Sequence, residues 1–286
     1  VPIVVGSTAP LINAIGGARS IAAPGDDPFD RVAYSNRGTQ QYIEDKGIAA
    51  EVTWTSPWLN NGELTSITAS REWNSTNGTD LDFTAADIFY RNPDKDESFT
   101  GFKTFSQEFR FAGSTDKLDW LVGAFYADED LDRNNSYRMA AGYEPYLSSL
   151  VFASLAPTIR NLGLPINNPN PAAFLGQVAG APGGFAGLSV LDHYQQNAKS
   201  AALFTNNTWH ATDALDVTLG LRYTHESKEL DSQLSDPNGN AACSAVLANP
   251  AARVAAGLTA QGVPLAALSP AQRAALLSAV APAVVG

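Results

Sequence analysis

The chain has 286 residues, of which 44% are hydrophobic, enough apolar content for one large domain or two small ones. Charged residues make up only 16%, and the formal net charge of −11 comes without any basic cluster, which argues against nucleic-acid binding. One cysteine excludes an internal disulfide framework and a cysteine-based zinc site. No apolar run of about 18 residues occurs, which excludes a polytopic helical membrane protein.

Six segments of two-residue periodicity follow one another, each long enough to cross a bilayer as a tilted β-strand. The predicted strands cover residues 47–55, 63–73, 102–112, 118–129, 199–210 and 215–227. Three connections between them are short and rich in turn residues, whereas the stretches 74–101, 130–198 and 229–286 are long loops. Bacterial outer-membrane barrels alternate in this way, with short turns on the periplasmic side and long loops outside.

The faces of these strands support a barrel wall, which needs one apolar side toward lipid and one polar side toward the lumen. In the last strand the odd positions from Leu215 to Tyr223 are apolar, and the even positions from Asp216 to Glu226 are not. In 63–73 and 199–210 the alternation is blurred by Ser66, Thr68, Asn206 and Asn207, so their register stays open. The sequence therefore predicts an all-β fold, an antiparallel transmembrane β-barrel segment of about six strands in up-and-down hairpins, with long extracellular loops containing short helices.

Tryptophan positions give an independent indication, because amphipathic aromatic rings settle where hydrocarbon meets headgroups. Trp54, Trp58, Trp120 and Trp209 lie within a few residues of a short turn, and Trp73 closes a strand at the long-loop end. Ordinary core tryptophans are the alternative interpretation.

The alanine-rich C-terminal segment carries helix signals. Asn249 and Pro250 predict a helix start, with Gly257 as its stop, and Ser269 to Gln272 reads as a capping box with proline at the first helical position. Cys243 is expected either to pair with a cysteine beyond this chain or to be a free thiol.

Both ends of the chain are expected to be cut. Val1 is not a start methionine, the opening residues lack the pattern of a signal peptide, and six strands are fewer than the smallest barrel of about eight. We therefore expect further strands beyond both ends.

Several stretches resemble TonB-dependent receptors, especially the large receptors abundant in sphingomonad-type bacteria. The resemblance lies in FSQEFRFAGSTDKLDWLVGAFYADEDLD (105–132), AALFTNNTWHATDALDVTLGLRYTHESKEL (201–230), LTSITASREW (64–73) and DPFDRVAYSNRG (27–38). The run GLRYTHE from Gly220 is its most specific part.

The resemblance implies a wide barrel of about 22 strands, plugged by an N-terminal domain and located in the outer membrane of a Gram-negative bacterium. It also implies import of a scarce small-molecule ligand with energy relayed through TonB. The expected partners are outer-membrane lipid, the plug domain, the TonB complex through a missing N-terminal part, and an unidentified ligand. Residues 1–286 contain no plug domain, so this chain is expected to be a barrel segment of the parent receptor. Iron chelates, cobalamin, carbohydrates and aromatic breakdown products are all candidate ligands.

The candidate site residues are charged side chains on the predicted polar faces. They are Glu51, Arg71, Glu108, Arg110, Asp216, Arg222 and Glu226. Such residues line a ligand path or contact the plug, or they form hydrogen-bonded ladders that solvate the inner wall.

No enzyme or cofactor is expected, because no nucleophile, zinc-protease, phosphate-loop or dinucleotide motif occurs. Asp128, Asp130 and Asp132 start like a calcium loop, but Arg133 stands where glycine is needed.

Two other function classes remain open: a porin-like barrel without a plug, and a soluble β-sheet binding module.

Overall fold

One large antiparallel sheet dominates the computed structural model, which describes residues 5–22, 26–27, 29–57, 61–237 and 241–285. Its strands are β1 (Gln41–Thr55), β2 (Glu63–Asn77), β3 (Thr79–Asp80), β4 (Phe89–Arg91), β5 (Phe99–Thr115), β6 (Leu118–Met139), β7 (Gly187–Thr212) and β8 (Leu215–Ser235). The six long strands pair in the order β1-β2-β5-β6-β7-β8, and the short pair β3-β4 adds to the far end of β6. Each long strand therefore pairs with the next long strand of the chain, which confirms the predicted all-β, up-and-down arrangement.

The long strands extend beyond the predicted bounds. Every predicted segment lies inside an observed strand, but β6 continues to Met139, β7 already begins at Gly187, and β8 continues to Ser235. The loop boundaries predicted at 74–101, 130–198 and 229–286 were therefore wrong at these strand ends. The physical reason is that a strand end with water on both faces needs no alternation of apolar and polar residues. Its backbone groups are satisfied by hydrogen bonds to the neighbouring strands.

The pairing register separates two faces over all six long strands. One face, the apolar face, carries the even positions of β1, β2 and β6 and the odd positions of β5, β7 and β8. It collects large apolar side chains from every long strand: Ile48, Val52, Trp54, Leu64, Phe105, Phe109, Phe111, Leu118, Trp120, Val122, Leu203, Trp209, Leu215, Val217, Leu219, Leu221 and Tyr223. The opposite side is the polar face.

The residues that blurred the sequence pattern fall on both faces. Ser66 and Thr68 lie on the apolar face, where both are hydrogen-bonded to the side chain of Gln107. Asn207 also lies there and donates to Thr205 Oγ1 over 2.9 Å, whereas Asn206 lies on the polar face. These polar groups satisfy one another across and along the strands, which lowers the cost of placing them among apolar neighbours.

Helices fill the long connections. They are α1 (Val5–Gly16), α2 (Tyr143–Asn161), α3 (Phe174–Ala179), α4 (Ala241–Ala248), α5 (Pro250–Ala260) and α6 (Pro270–Val285), with single 3₁₀ turns at Pro171–Ala173 and Leu265–Ala267. Across the described residues, none of the helices has the length and apolar character needed to cross a membrane.

Helices α2 to α6 pack into one body, which we call the cap, at the long-loop end of the sheet. Its interior contains the largest apolar cluster in the described part of the chain. The cluster includes Ile159, Phe174, Val178, Leu258 and Leu276, whose exposed fraction is 0%. The long strands contribute only a few small alanines to the buried apolar residues, such as Ala198 and Ala202. This distribution indicates that the sheet keeps both faces open while the cap folds around its own core.

The predicted N-termini of two helices, α5 and α6, are confirmed, whereas the predicted C-terminus of α5 was wrong. Asn249 accepts a hydrogen bond from the backbone of Ala252, and Ser269 and Gln272 form the reciprocal capping box. Helix α5, however, continues through Gly257 to Ala260. Gly257 serves close packing, because an added Cβ would lie 2.4 Å from Val178 Cγ2.

The N-terminal segment also attaches to the long-loop end. Ile12 of α1 packs with Ala86 and Ile88 of the connection 81–88. Arg37 forms a two-pronged ion pair with Asp87, with nitrogen–oxygen distances of 2.7 and 2.8 Å. These contacts tie the residues before β1 to the same end of the sheet as the cap.

Candidate functional site on the polar face

The register places all the predicted site residues on the polar face. Glu51 lies opposite Ile67, which in turn lies opposite Glu108, so the two carboxylates share one row across β1, β2 and β5. Arg110 and Arg222 share the next row toward the short turns, through Gly123 and Phe204. A row with two carboxylates therefore lies beside a row with two guanidinium groups.

Toward the long loops, a second acidic row is followed by a mixed row. Glu226 stands one row above Glu108, and a further row combines Arg71 with Glu129 and Lys228. Opposite charges in adjacent rows attract one another, whereas like charges directly opposite would repel. Acidic and basic groups thus lie in neighbouring rows of the polar face.

Two of the predicted basic residues are held by neighbouring carboxylates. Arg110 Nε donates to Glu108 on the same strand. Arg71 of β2 grips Asp45 of β1 with two nitrogens, one of them 2.9 Å from Asp45 Oδ1. Asp45 was missed from the sequence because the predicted first strand began two residues later. The period-two pattern extended backward from Glu51 reaches Asp45 and was the signal available.

Arg222 has a different environment. Its guanidinium lies 5.4 Å from the ring centroid of Phe204 and 5.6 Å from that of Phe125, and its Nε donates to Thr224 Oγ1 over 3.2 Å. Phe204 in turn covers Gly123, where an added Cβ would lie 2.2 Å from the ring. Two aromatic residues on the polar face thus form a platform for a cation, a feature that the alternation pattern did not predict.

A polar groove of about 360 Å³ runs beside this platform. Its lining includes Phe125, Glu129, Arg222, Glu226 and Lys228. With Lys199 also in its lining, the groove combines one aromatic surface with two acidic and three basic groups, so it suits a polar or zwitterionic molecule or a polar protein surface.

Asp216 belongs to a bridge near the short turns. Its Oδ1 lies 2.8 Å from His210 Nδ1, and the other ring nitrogen of His210 lies 3.2 Å from Asp119 Oδ2. The imidazole therefore links β6, β7 and β8 at this end of the polar face. Over the described residues, no group of three or more His, Cys, Asp or Glu side chains is arranged to hold a metal ion.

The apolar face has the dimensions of a membrane band. Leu215 to Tyr223 covers nine residues, which agrees with the about 9–11 residues that a tilted β-strand needs to cross a bilayer. On β6 the band ends after Tyr126, because Asp128 and Asp130 follow on the same face. Beyond it the strands project further, since β7 alone has 26 residues.

The tryptophans are only partly placed as predicted. Trp54 and Trp209 lie on the apolar face near the short turns, 47% and 54% exposed, and Trp120 packs edge-on against Phe111 with ring centroids 5.0 Å apart. Trp73, in contrast, lies on the polar face opposite Asp45 and Phe102, which was not expected for an interfacial ring. Trp58 lies outside the described residues.

An up-and-down sheet with one apolar face and one ion-paired polar face is the wall of a transmembrane β-barrel. Residues 14–251 match the family described as "TonB dependent receptor-like, beta-barrel", and the chain belongs to this family. The fold class is accordingly that of a barrel segment of an outer-membrane transport receptor.

No curated protein matches the chain. Among solved structures, the crystal structure of the ferric yersiniabactin uptake receptor FyuA from Yersinia pestis is similar at 14% identity and a TM-score of 0.46. The match covers 72% of this chain and 24% of the receptor chain, so the chain spans about a quarter of that receptor's length.

Proposed function

We propose that this chain forms part of the barrel of a receptor that imports a scarce small-molecule ligand across the outer membrane of a Gram-negative bacterium. The import is energised through the TonB complex, and a plug domain of the parent receptor closes the lumen. An iron chelate or another nutrient is the proposed cargo. The observation that carries the proposal is the set of acidic and basic rows on one face of a sheet whose other face collects large apolar side chains from every long strand.

The site residues divide into two proposed roles. Glu108, Arg110 and Arg71 are engaged with neighbouring charges, so their role is to stabilise and solvate the wall. Arg222 and Glu226 line the groove and face open space, so their role is to contact the plug or the passing ligand. Glu51 extends the acidic row of Glu108 and belongs to the first group.

The alternatives differ in their behaviour in lipid. A porin-like barrel has the same wall but an open lumen, and a soluble module keeps its apolar faces packed on each other. The family is one of transporters, and no enzymatic activity is proposed for this chain.

A test that needs no known ligand uses the complete receptor encoded by the parent gene. The purified receptor is reconstituted into planar lipid bilayers, and its conductance is measured. In parallel, cells expressing it are treated with formaldehyde to detect crosslinks to TonB. The proposal predicts a heat-modifiable outer-membrane protein that is electrically silent and crosslinks to TonB.

Each alternative gives a different result. A steady ohmic conductance without a TonB crosslink supports the porin and contradicts energised import. Recovery of the protein in the soluble fraction without detergent supports the binding module and contradicts the barrel.

A further inference from the structure

A second cavity lies apart from the polar face, between the strand ends and the cap. Its volume is about 340 Å³. The floor includes Met139 of β6 and Ser189 of β7, and Asp236 follows the last residue of β8. The roof is built by Tyr143 of α2 and Val246 of α4. The cavity therefore exists only where the two long connections meet above the sheet.

The lining is mainly apolar. Leu147, Leu175, Val178, Phe185 and Val246 supply hydrocarbon surface from four different segments of the cap. A pocket of this size with mostly apolar walls and a few polar groups is the usual form of a small-molecule site. Polar groups in such a pocket set the orientation and the selectivity of the bound molecule.

Asp236 is the acidic residue of this lining. Its Oδ1 atom is buried and has no hydrogen-bond partner anywhere in the described part of the chain. A buried acceptor without a partner costs free energy, so proteins usually satisfy such groups. The acidic side chain of α2 follows that rule, because Glu144 Oε2 accepts from the backbone of Gly183 over 2.7 Å.

We propose that this cavity, the cap pocket, binds a small apolar molecule with a single hydrogen-bond donor group, an amine or a hydroxyl, which donates to Asp236. The volume suits about ten to fifteen non-hydrogen atoms with some room for adjustment. The proposal goes beyond the transport function and does not rest on it, because binding in the cap requires neither a plug nor TonB.

The test compares three probes of one shape on the complete receptor in lipid nanodiscs. The probes are 1-naphthalenemethylamine, 1-naphthol and 1-methylnaphthalene, and binding is followed by their fluorescence. The two donors bind at least about tenfold more tightly than 1-methylnaphthalene. Because empty nanodiscs absorb some apolar probe, their signal is subtracted.

Variants locate the donor site. Asp236→Leu removes the preference for the donor probes and leaves the affinity for 1-methylnaphthalene nearly unchanged. Asp236→Asn keeps an acceptor oxygen but no charge, so it weakens the amine more than the naphthol. Asp213→Leu, in the exposed turn before β8, is the matched control and leaves all three affinities unchanged.

Cys243 gives a readout confined to the pocket, because this exposed residue contributes to its lining. Saturating 1-naphthol slows the reaction of Cys243 with N-ethylmaleimide, measured by mass spectrometry of its peptide. Leu247→Trp, which narrows the pocket at a side chain that is 60% exposed, weakens all three probes. Heat-modifiable mobility shows that each variant is folded.

The opposite results overturn the proposal. One is that the three probes bind the receptor with equal affinity. Another is that Asp236→Leu keeps the preference for the donor probes. The third is that Cys243 reacts with N-ethylmaleimide at an unchanged rate in the presence of saturating 1-naphthol. None of these outcomes depends on whether the parent receptor transports a ligand, so a failure here is distinct from a failure of the transport proposal.

Discussion

In the described part of the chain, the buried carboxylates lie outside the membrane band. The clearest is Glu97, 7% exposed in the connection before β5, which accepts from Arg138 Nε over 2.7 Å and from a second nitrogen of the same guanidinium. This pairing holds the pKa of Glu97 below its usual range. Since the pair joins the connection 92–98 to the end of β6, it closes the wall above the bilayer.

The first prediction concerns this pair. Glu97→Gln removes the negative charge and leaves Arg138 with a weaker acceptor, a loss of about 2 kcal/mol for a hydrogen bond between charged groups. We expect backbone amides of residues 92–98 to exchange hydrogen about thirtyfold faster at pH 7, measured by mass spectrometry on the complete receptor. Asp96→Asn, at the exposed neighbouring position, is the control and leaves exchange unchanged.

The pH dependence of this connection follows from the same pairing. A carboxylate with a lowered pKa stabilises the folded state fully above its unfolded value of about 4.3, and the stabilisation is lost as pH falls through the lowered pKa. We therefore expect the amide hydrogens of residues 92–98 in the wild type to exchange faster only below about pH 4.3, after correction for the intrinsic exchange rate at each pH. Equal protection in wild type and Glu97→Gln at neutral pH contradicts a stabilising role for the pair.

At the scale of elements, the cap depends on close helix contacts. Gly257 lets α5 approach α3, where Val178 is fully buried. In an isolated helix, alanine is favoured over glycine by about 1 kcal/mol. In the cap an added methyl overlaps Val178, and overpacking of this kind costs about 1–3 kcal/mol.

The second prediction is that Gly257→Ala destabilises the cap despite its better helix propensity. Hydrogen exchange of peptides in α3 and α5 is the suitable measurement, because the tryptophans of the described residues lie on strands outside the cap and do not report on it. The double variant Gly257→Ala/Val178→Ala makes room for the methyl and restores part of the protection. Higher protection in Gly257→Ala alone rules out the packing role.

At the scale of the whole molecule, the two faces of the sheet meet different surroundings. Leu219, in the middle of the band on β8, is 72% exposed, and its neighbour Thr218 lies on the polar face. A charge facing lipid near the membrane midplane costs about 2–4 kcal/mol, whereas a charge facing the lumen is solvated.

The third prediction follows from this difference. Leu219→Arg lowers the yield of heat-modifiable receptor in the outer membrane at least tenfold, and Thr218→Arg changes it little. Both variants add the same side chain at adjacent positions, so expression effects are matched. A larger loss for Thr218→Arg reverses the assignment of the faces.

The membrane-facing pattern was readable from the sequence because each strand position faces either lipid or water. Leu215 to Tyr223 alternates so regularly that the apolar face of β8 follows directly. Ser66 and Thr68 interrupted the pattern because they are satisfied by Gln107, a residue on another strand. Contacts of this kind depend on register, which two-residue periodicity does not specify in weakly patterned strands.

The sequence by itself determined the six strands, the assignment of Glu51, Arg71, Glu108, Arg110, Arg222 and Glu226 to one face, and the starts of two helices. These features are local, since burial alternation and capping depend on residues near one another in the chain.

Only the tertiary structure decided which charges share a row, where Arg222 meets Phe125 and Phe204, how far the strands project, and how the cap encloses its pocket. Met139, Ser189 and Asp236 lie far apart in sequence and line the same cavity. Such contacts arise from strand pairing and helix packing over long separations, and no local pattern encodes them.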